Sequence, residues 1–179
     1  MSLGLRTGTV KVEPHRAEWE TAAQETVETL REILKEDLED AQHIGSTSVK
    51  TICAKPIIDI VVGVKSFDRI MKHNDELAKS GIVYRREDHP GQHLYVCGDP
   101  ESGIQTHYIH VVIHGETAWN NYLNLRDYLN AHPEEAKSYA ELKERLAKAF
   151  PEDRVSYTNG KSEYIERVLQ RAGEWRAQH

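Results

Sequence analysis

One aspartate stands inside the most apolar segment of the chain. Asp59 interrupts the run from residue 57 to residue 64, which otherwise holds only isoleucine, valine and glycine. A carboxylate in a buried strand is costly unless it is paired or binds a metal. Asp59 is therefore the first candidate for a functional residue. The alternative is a structural aspartate that a turn, Lys55 or Arg126 satisfies.

A turn of small polar residues precedes this strand. Gly45, Ser46, Thr47 and Ser48 follow a short strand candidate, and any of the three hydroxyls could cap a brief helix that continues to Cys53. A strand, a glycine turn and a helix start together present backbone N–H groups and hydroxyls to an anion. The turn is a candidate phosphate site, and its ordinary interpretation is a capped loop.

The spacing between the turn and the aspartate suits nucleotidyl transfer. Twelve residues separate Gly45-Ser46 from Asp59. In that chemistry a backbone turn holds the outgoing phosphates, and carboxylates on the next strand hold Mg²⁺, which bridges the phosphates and activates the attacking group. Such sites have two acidic residues in the strand, one before and one after a single apolar residue.

Only one of those two carboxylates is present. The positions two residues before and after Asp59 are Ile57 and Val61. One carboxylate holds Mg²⁺ poorly, because this ion prefers several oxygen ligands in octahedral geometry. A second carboxylate would have to come from elsewhere in the fold, and Asp127 and Glu116 are the candidates.

Three further side chains are candidates, each with a plain alternative. His110 suits a metal ligand, a phosphate contact or a general base, or it is a satisfied strand histidine. Lys55 either neutralises phosphate or is solvated. Arg126 suits bidentate phosphate binding, and a helix-fixing pair with Asp127 is equally consistent with the sequence.

The apolar periodicity predicts the elements that position these residues. Residues 57–64 read as a central strand buried on both faces. The strands predicted at 82–86, 94–97 and 104–113 are joined by short turns and should run antiparallel. A further strand is expected at 41–44. Helices are expected at 16–38, 66–80, 116–132, 133–150 and 162–175, and breaks in the helical pattern at 151–153 and 157–160. The prediction is one α/β domain over residues 1–179, with a helical C-terminal third.

Composition narrows the function classes. The net charge is -6, which argues against a general binder of nucleic-acid backbones. No window reaches the ~18 uncharged apolar residues that a membrane span needs. Cys53 and Cys97 lack metal-type spacing, which favours a reduced, cytoplasmic setting. We therefore expect no membrane association and no nucleic-acid partner.

Blocks along the chain resemble one family. Residues 43–49 followed by 54–60 look like the hallmark of the GrpB family, and the similarity extends from about residue 10 to residue 172. Later blocks that agree are 109–112, 125–129 with His132-Pro133, 139–143 and 157–161. These are small bacterial proteins assigned by fold to the DNA polymerase beta superfamily of nucleotidyltransferases, without a well-established activity.

The resemblance implies a nucleotidyltransferase-like mixed sheet flanked by helices. It also implies an anion contact for Lys161, and a link to coenzyme A biosynthesis, because the family's domain is sometimes fused to dephospho-coenzyme A kinase. The family's third strand usually reads His-x-His, whereas this chain has Tyr108 two residues before His110. His107 lies nearby, but residues 107 and 110 of a regular strand point to opposite faces.

The leading hypothesis is a protein that binds a nucleotide or another phosphorylated small molecule, with metal-dependent nucleotidyl transfer as its reaction. Asp59 and His110 are the catalytic candidates and the candidate ligands of Mg²⁺. The substrate-binding candidates are Gly45, Ser46, Thr47, Ser48, Lys55, Arg126 and Lys161. The alternative is a catalytically inactive binding or regulatory module on the same fold.

Overall fold

A mixed β-sheet carries the site and helices flank it. The computed structural model describes residues 3–179, in which six strands form one sheet and seven α-helices surround it. In chain order the elements are β1 (Leu5–Arg6), α1 (Glu18–Leu34), β2 (Asp40–Ile44), β3 (Ile58–Val64), α2 (Phe67–Met71), α3 (Asn74–Lys79), β4 (Val83–His89), β5 (Gln92–Asp99), β6 (Ile104–Ile113), α4 (Thr117–Ala131), α5 (Pro133–Ala149), α6 (Arg154–Gly160) and α7 (Ser162–Ala177).

The strand order is β2-β3-β6-β5-β4, and β1 pairs with the first residues of β6. β4, β5 and β6 are antiparallel, which confirms the sequence prediction. β3 and β6 are parallel. The prediction that residues 57–64 form the central strand was wrong, since β6 occupies the middle and β3 lies beside it. β3 is nevertheless buried on both faces, which explains its continuous apolar sequence.

The two faces of β3 pack against different helices. Ile58, Ile60 and Val62 belong to the main core with the buried residues of α1, whereas Val61 packs against Trp119 of α4. Successive side chains of a strand point to opposite faces. Asp59 therefore shares the face of Val61 and points toward the C-terminal helices rather than into the main core.

Three predicted local elements were wrong. The helix expected at 66–80 is interrupted between α2 and α3, where the ring of His73 reaches Asp37 at 2.9 Å. The brief helix expected to end at Cys53 is a 3₁₀ turn at Ser46–Ser48, because Val49 is already extended. The break expected at 157–160 lies inside α6, whose start is capped when the Asp153 carboxylate accepts from the Ser156 N–H at 3.0 Å.

The C-terminal third is helical, as predicted, and has its own apolar cluster. Tyr128, Leu129 and Ala136 meet Val168 and Ala172 of α7 in that cluster. Within residues 3–179 no helix is both long enough and apolar enough to cross a membrane. The space that remains between this helical unit and the sheet forms the site described below.

A buried carboxylate ties α1 to the helices after β3. Asp37 is 5 % exposed, and its oxygens lie 2.7 Å from Lys72 Nζ, 2.9 Å from His73 Nε2 and 3.4 Å from Arg69 Nη1. The hydrogen bonds from Lys72 and then His73 lower the pKa of Asp37 below its usual 3.8. A carboxylate whose pKa falls on folding adds stability above its unfolded pKa.

Asp37→Asn should therefore lower the urea midpoint at pH 7, because three cationic or polar partners lose a carboxylate that is buried. The difference from wild type should shrink as the pH falls below 3.8, because the wild-type carboxylate then takes up its proton. Chemical unfolding of both proteins at a series of pH values measures this. Asp75→Asn, on the exposed side of α3, is the matched control; an equal loss there would contradict the role of Asp37.

Candidate functional site

A cavity of about 800 Å³ lies between the sheet and helices α4, α6 and α7. It brings together eight of the nine predicted site residues, and Ser48 is the exception among them. The predicted residues that line it are Gly45, Ser46, Thr47, Lys55, Asp59, His110, Arg126 and Lys161. Residues more than 100 positions apart in the chain thus share one space.

Gly45 lies directly against Asp59. The antiparallel register of β2 and β3 pairs Ile44 with Asp59, so that the next residue passes over the carboxylate. Gly45 has φ +70° and ψ -171°, a conformation that is essentially restricted to glycine. A Cβ atom at this position would stand 2.7 Å from Asp59 Oδ2. Both the backbone angle and the close approach therefore require glycine here.

The hydroxyls of the turn have different roles. Ser48 Oγ donates to the Gly45 carbonyl at 2.6 Å, which makes it a brace of the turn. Thr47 is buried, and its Oγ1 lies 2.8 Å from His43 Nε2. Burial lowers the pKa of His43 to about 4, so that this histidine is neutral at pH 7. Ser46 also lines the cavity, and within residues 3–179 its hydroxyl has no such structural bond.

Asp59 is paired with His110. Their Oδ1 and Nε2 atoms lie 3.1 Å apart, and the two side chains are 28 % and 15 % exposed. The parallel register of β3 and β6 pairs Asp59 with Tyr108 and Val61 with His110, which puts the aspartate and the histidine diagonally on one face. The partner of Asp59 is thus His110, and neither Lys55 nor Arg126 forms a salt bridge with it among residues 3–179.

His107 lies on the other face of β6, as the strand period predicted. Its Nε2 is 3.2 Å from the hydroxyl of Thr26 in α1. The two histidines therefore cannot hold one metal ion. Regular strand geometry puts His107 and His110 on opposite faces, because β6 pairs with β3 in one register across both positions.

Neither predicted second carboxylate lines the cavity. Asp127 is held by Arg126 at 2.7 Å and by Arg176, and Glu116 is exposed just before α4. Asp88, which the sequence did not single out, does line it and pairs with Arg86 at 2.8 Å. Among residues 3–179 no group of three His, Cys, Asp or Glu side chains is placed to hold a metal. The donors beside the turn, one carboxylate and one imidazole, fall short of a preformed Mg²⁺ site.

Three cations line the cavity together, and two of them lie over one aromatic ring. The ammonium groups of Lys55 and Lys161 lie 5.2 Å and 4.6 Å from the centre of the Tyr157 ring, and Arg154 lines the same space. Across the described chain none of the three forms a salt bridge. Burial, followed by the charges of Lys161 and Arg154, lowers the pKa of Lys55 to about 7. We call Lys55, Arg154 and Lys161 the basic cluster.

Arg154 was not predicted, because residues 151–153 look like a simple break in the sequence. Its guanidinium spans the site: Nη1 donates to Gln105 Oε1 and to the Tyr108 hydroxyl at 2.7 Å each, and Nε donates to the Thr9 carbonyl at 3.1 Å. All these acceptors are neutral. The positive charge of Arg154 is thus held in place without being cancelled.

A fourth cation stands behind the basic cluster. Lys143 is 1 % exposed, and its ammonium donates to the Cys53 carbonyl. Burial, followed by the charges of Lys161 and Lys55, lowers the pKa of Lys143 to about 7. A buried lysine is rare without a carboxylate partner, and Lys143 adds a further cationic group behind the basic cluster.

Arg126 shows the structural pair that was one of its two interpretations. Its Nε donates to Asp127, while Nη1 donates to Gln42 Oε1 at 2.7 Å and to the His43 carbonyl at 3.1 Å. These bonds fasten α4 to the end of β2, just before the glycine turn. Arg126 also lines the cavity, so that it both braces the turn and adds charge beside it.

Comparison with known proteins agrees with this architecture. Residues 9–171 match the family described as GrpB protein. The chain belongs to the GrpB family. It is 38 % identical to the glutamate-rich protein GrpB of Alkalihalophilus pseudofirmus, across 93 % of this chain and 98 % of that protein. It superposes on the crystal structure of the conserved protein GrpB from Enterococcus faecalis with a TM-score of 0.83 and 31 % identity, covering 90 % of this chain and 96 % of that one.

A more distant neighbour shows the wider fold class. The Cid1 poly(U) polymerase superposes with a TM-score of 0.52 at 18 % identity, over 76 % of this chain and 44 % of that enzyme. The fold is thus nucleotidyltransferase-like, as the resemblance implied. This chain corresponds to less than half of the enzyme's length.

Gly45→Ala should destabilise the protein by about 1–3 kcal/mol through its backbone angle alone, and the new methyl group also meets Asp59 Oδ2. Thermal and chemical unfolding measure this loss. Gly173→Ala is the matched control, since a methyl group there meets nothing within 4 Å inside α7. The control should gain up to about 1 kcal/mol from its higher helix propensity. Equal stability of Gly45→Ala and wild type would contradict the close packing of the turn on Asp59.

Proposed function

We propose that the cavity binds a nucleotide or another phosphorylated small molecule. The phosphate groups of this ligand lie between the glycine turn at Gly45–Thr47 and the basic cluster. One observation carries the proposal: three cations without a carboxylate partner share a cavity with a backbone turn suited to anions. Uncompensated positive charge in a partly buried cavity is unfavourable, and an incoming anion offsets it.

The electrostatics of the cavity favour a ligand with more than one negative charge. Burial, together with the charges of neighbouring cations, lowers the pKa of both Lys55 and Lys143 to about 7. Phosphate oxygens make charge-assisted hydrogen bonds with lysine and arginine, which are roughly twice as strong as neutral ones. The apolar wall formed by Leu125, Leu129 and Ile165 leaves room for the uncharged part of the ligand.

Nucleotidyl transfer is the reaction that this arrangement suits best. Asp59 and His110 remain the catalytic candidates beside the turn. Mg²⁺ would neutralise the phosphates when bound. Because the turn offers a single carboxylate, Asp59 would be the protein ligand of such an ion, and the phosphates of the nucleotide would supply further oxygens. The fold shared with Cid1 supports this class of chemistry.

The lone carboxylate at the turn also favours a second candidate. Two-carboxylate sites hold the metal that activates the attacking group, and Val61 stands where a second carboxylate would be. A binding or regulatory module on the same fold needs the turn and the basic cluster but not that second ligand. Turnover, rather than binding, distinguishes the two candidates.

Calorimetry tests the binding step. The wild-type protein is titrated with each of the four ribonucleoside triphosphates, with and without Mg²⁺. Dephospho-coenzyme A is added because of the proposed link to coenzyme A biosynthesis, and a short oligouridine tests for a nucleic-acid partner. Binding of a nucleotide or of dephospho-coenzyme A supports the proposal. The absence of heat with every one of these phosphorylated ligands, from a folded protein, overturns it.

Formation of pyrophosphate from the nucleotide that binds distinguishes the enzyme from the module. Release that Asp59→Asn abolishes supports nucleotidyl transfer. Tight binding without any pyrophosphate, across a range of acceptors and divalent metals, supports the module.

Lys55→Met should weaken binding of the phosphorylated ligand by roughly tenfold or more, since a hydrogen bond to a charged group contributes about 1.5–3 kcal/mol. Calorimetry under identical salt conditions measures the change. Lys137→Met, at an exposed position of α5 away from the cavity, removes the same charge and should leave affinity unchanged. Equal effects of the two substitutions would show that only the overall charge matters.

Affinity should fall as the pH rises from 7 to 9. The amine of Lys55 loses its proton above a pKa of about 7, so that binding an anion at higher pH must first restore the proton. Titrations across this range, in buffers of different ionisation enthalpy, should show proton uptake on binding. Lys55→Arg should flatten the fall, because a guanidinium stays charged. If the affinity of the wild type stays constant between pH 7 and 9, the loss of the Lys55 proton in this range does not control binding.

A further inference from the structure

A chain of hydrogen bonds continues from the Asp59–His110 pair to α4. His110 Nδ1 lies 3.5 Å from Gln92 Nε2, and the Tyr122 hydroxyl donates to Gln92 Oε1 at 3.1 Å. Gln92 is 7 % exposed, which makes it one of the few buried polar side chains of the sheet. We propose that Gln92 and Tyr122 are positioning residues that keep the His110 proton on Nε2, so that His110 serves Asp59 as a hydrogen-bond donor and not a metal as a ligand.

The direction of each bond follows from its donor. The Tyr122 hydroxyl donates its proton to the amide oxygen of Gln92. Oε1 of Gln92 accepts this proton, and the amide then turns its N–H₂ group toward His110. A nitrogen that accepts from an amide N–H must carry a lone pair. Nδ1 is therefore unprotonated, and Nε2 carries the proton toward Asp59 Oδ1.

This arrangement leaves no lone pair of His110 free for a metal ion. Nδ1 is occupied by Gln92, and Nε2 donates to Asp59. Asp59 accordingly keeps Oδ1 for the histidine and offers only Oδ2, the oxygen beneath Gly45, to a ligand. The consequence for the ligand rests on the proposed function, whereas the position of the proton is a property of the protein alone.

The placement of Gln92 explains why the sequence did not reveal it. Gln92 begins β5 immediately after the β4–β5 turn, and the antiparallel register pairs the neighbouring Leu94 with His110. Tyr122 comes from α4, and its ring lies 5.2 Å from that of His110. A strand start and a helix face, separated by 30 residues, meet at this histidine only in the folded chain.

Nitrogen NMR of ¹⁵N-histidine-labelled protein at pH 8 tests the position of the proton. His110→Gln identifies the signals of His110 by their loss. The wild type should show His110 protonated at Nε2 and unprotonated at Nδ1. Gln92→Glu places an acceptor opposite Nδ1 and should bring a proton onto that nitrogen. Gln170→Glu adds the same charge at an exposed site on α7 and should leave the signals of His110 unchanged. A wild-type proton on Nδ1, or no response to Gln92→Glu, overturns the proposal.

Ligand binding gives an independent test of the donor role. The amide of glutamine can replace the Nε2–H of His110, but leucine cannot donate. His110→Gln should keep the affinity for Mg²⁺ and nucleotide within a few-fold, and His110→Leu should lower it by roughly tenfold, the value of a typical hydrogen bond. Equal losses in both variants point to a metal ligand and overturn the proposal. If no nucleotide binds at all, the proposed function fails, while the NMR result still decides the position of the proton.

Discussion

The parallel pairing of β3 with β6 is the constraint on which the site depends. It places Asp59 one step along from His110 on the same face and sends His107 to the opposite face. Parallel strands need a long connection, here α2, α3 and the β4–β5 hairpin. That same connection delivers Gln92 to the far side of His110 and Asp88 to the cavity wall. A shift of one residue in this register would move the side chains of one strand to the opposite face of the sheet and separate Asp59 from His110.

The cavity separates two kinds of polar chemistry. At the sheet, Asp59, His110, Gln92 and Tyr122 satisfy one another through neutral or singly charged hydrogen bonds. In the other region, the basic cluster and Lys143 contact neutral acceptors and aromatic rings, and among residues 3–179 none of these four cations forms a salt bridge. The first region is internally complete and the second is not. The proposed ligand would supply the missing negative charge beside the glycine turn.

Much of the site was readable from the sequence because its signals are local. The glycine turn, the lone aspartate in an apolar strand and the alternation of His107 and His110 each concern residues within a few positions of one another. Boundaries were less predictable where a tertiary contact intervened. His73 interrupts a predicted helix to reach Asp37, and Tyr157 belongs to a helix that its neighbouring Asn159-Gly160 had suggested was a break. Arg154 and Gln92 gave no local signal.

The sequence by itself determined the α/β architecture and the candidate residues at the end of β2 and in β3, because apolar periodicity and turn chemistry are properties of neighbouring residues. The family followed from the resemblance of whole sequence blocks. Only the tertiary structure decided what surrounds them. The partner of Asp59, the absence of Asp127 from the cavity wall and the meeting of Lys55, Arg154 and Lys161 in one cavity all depend on strand order and helix packing. These are set by burial over the whole chain, and no short segment encodes them.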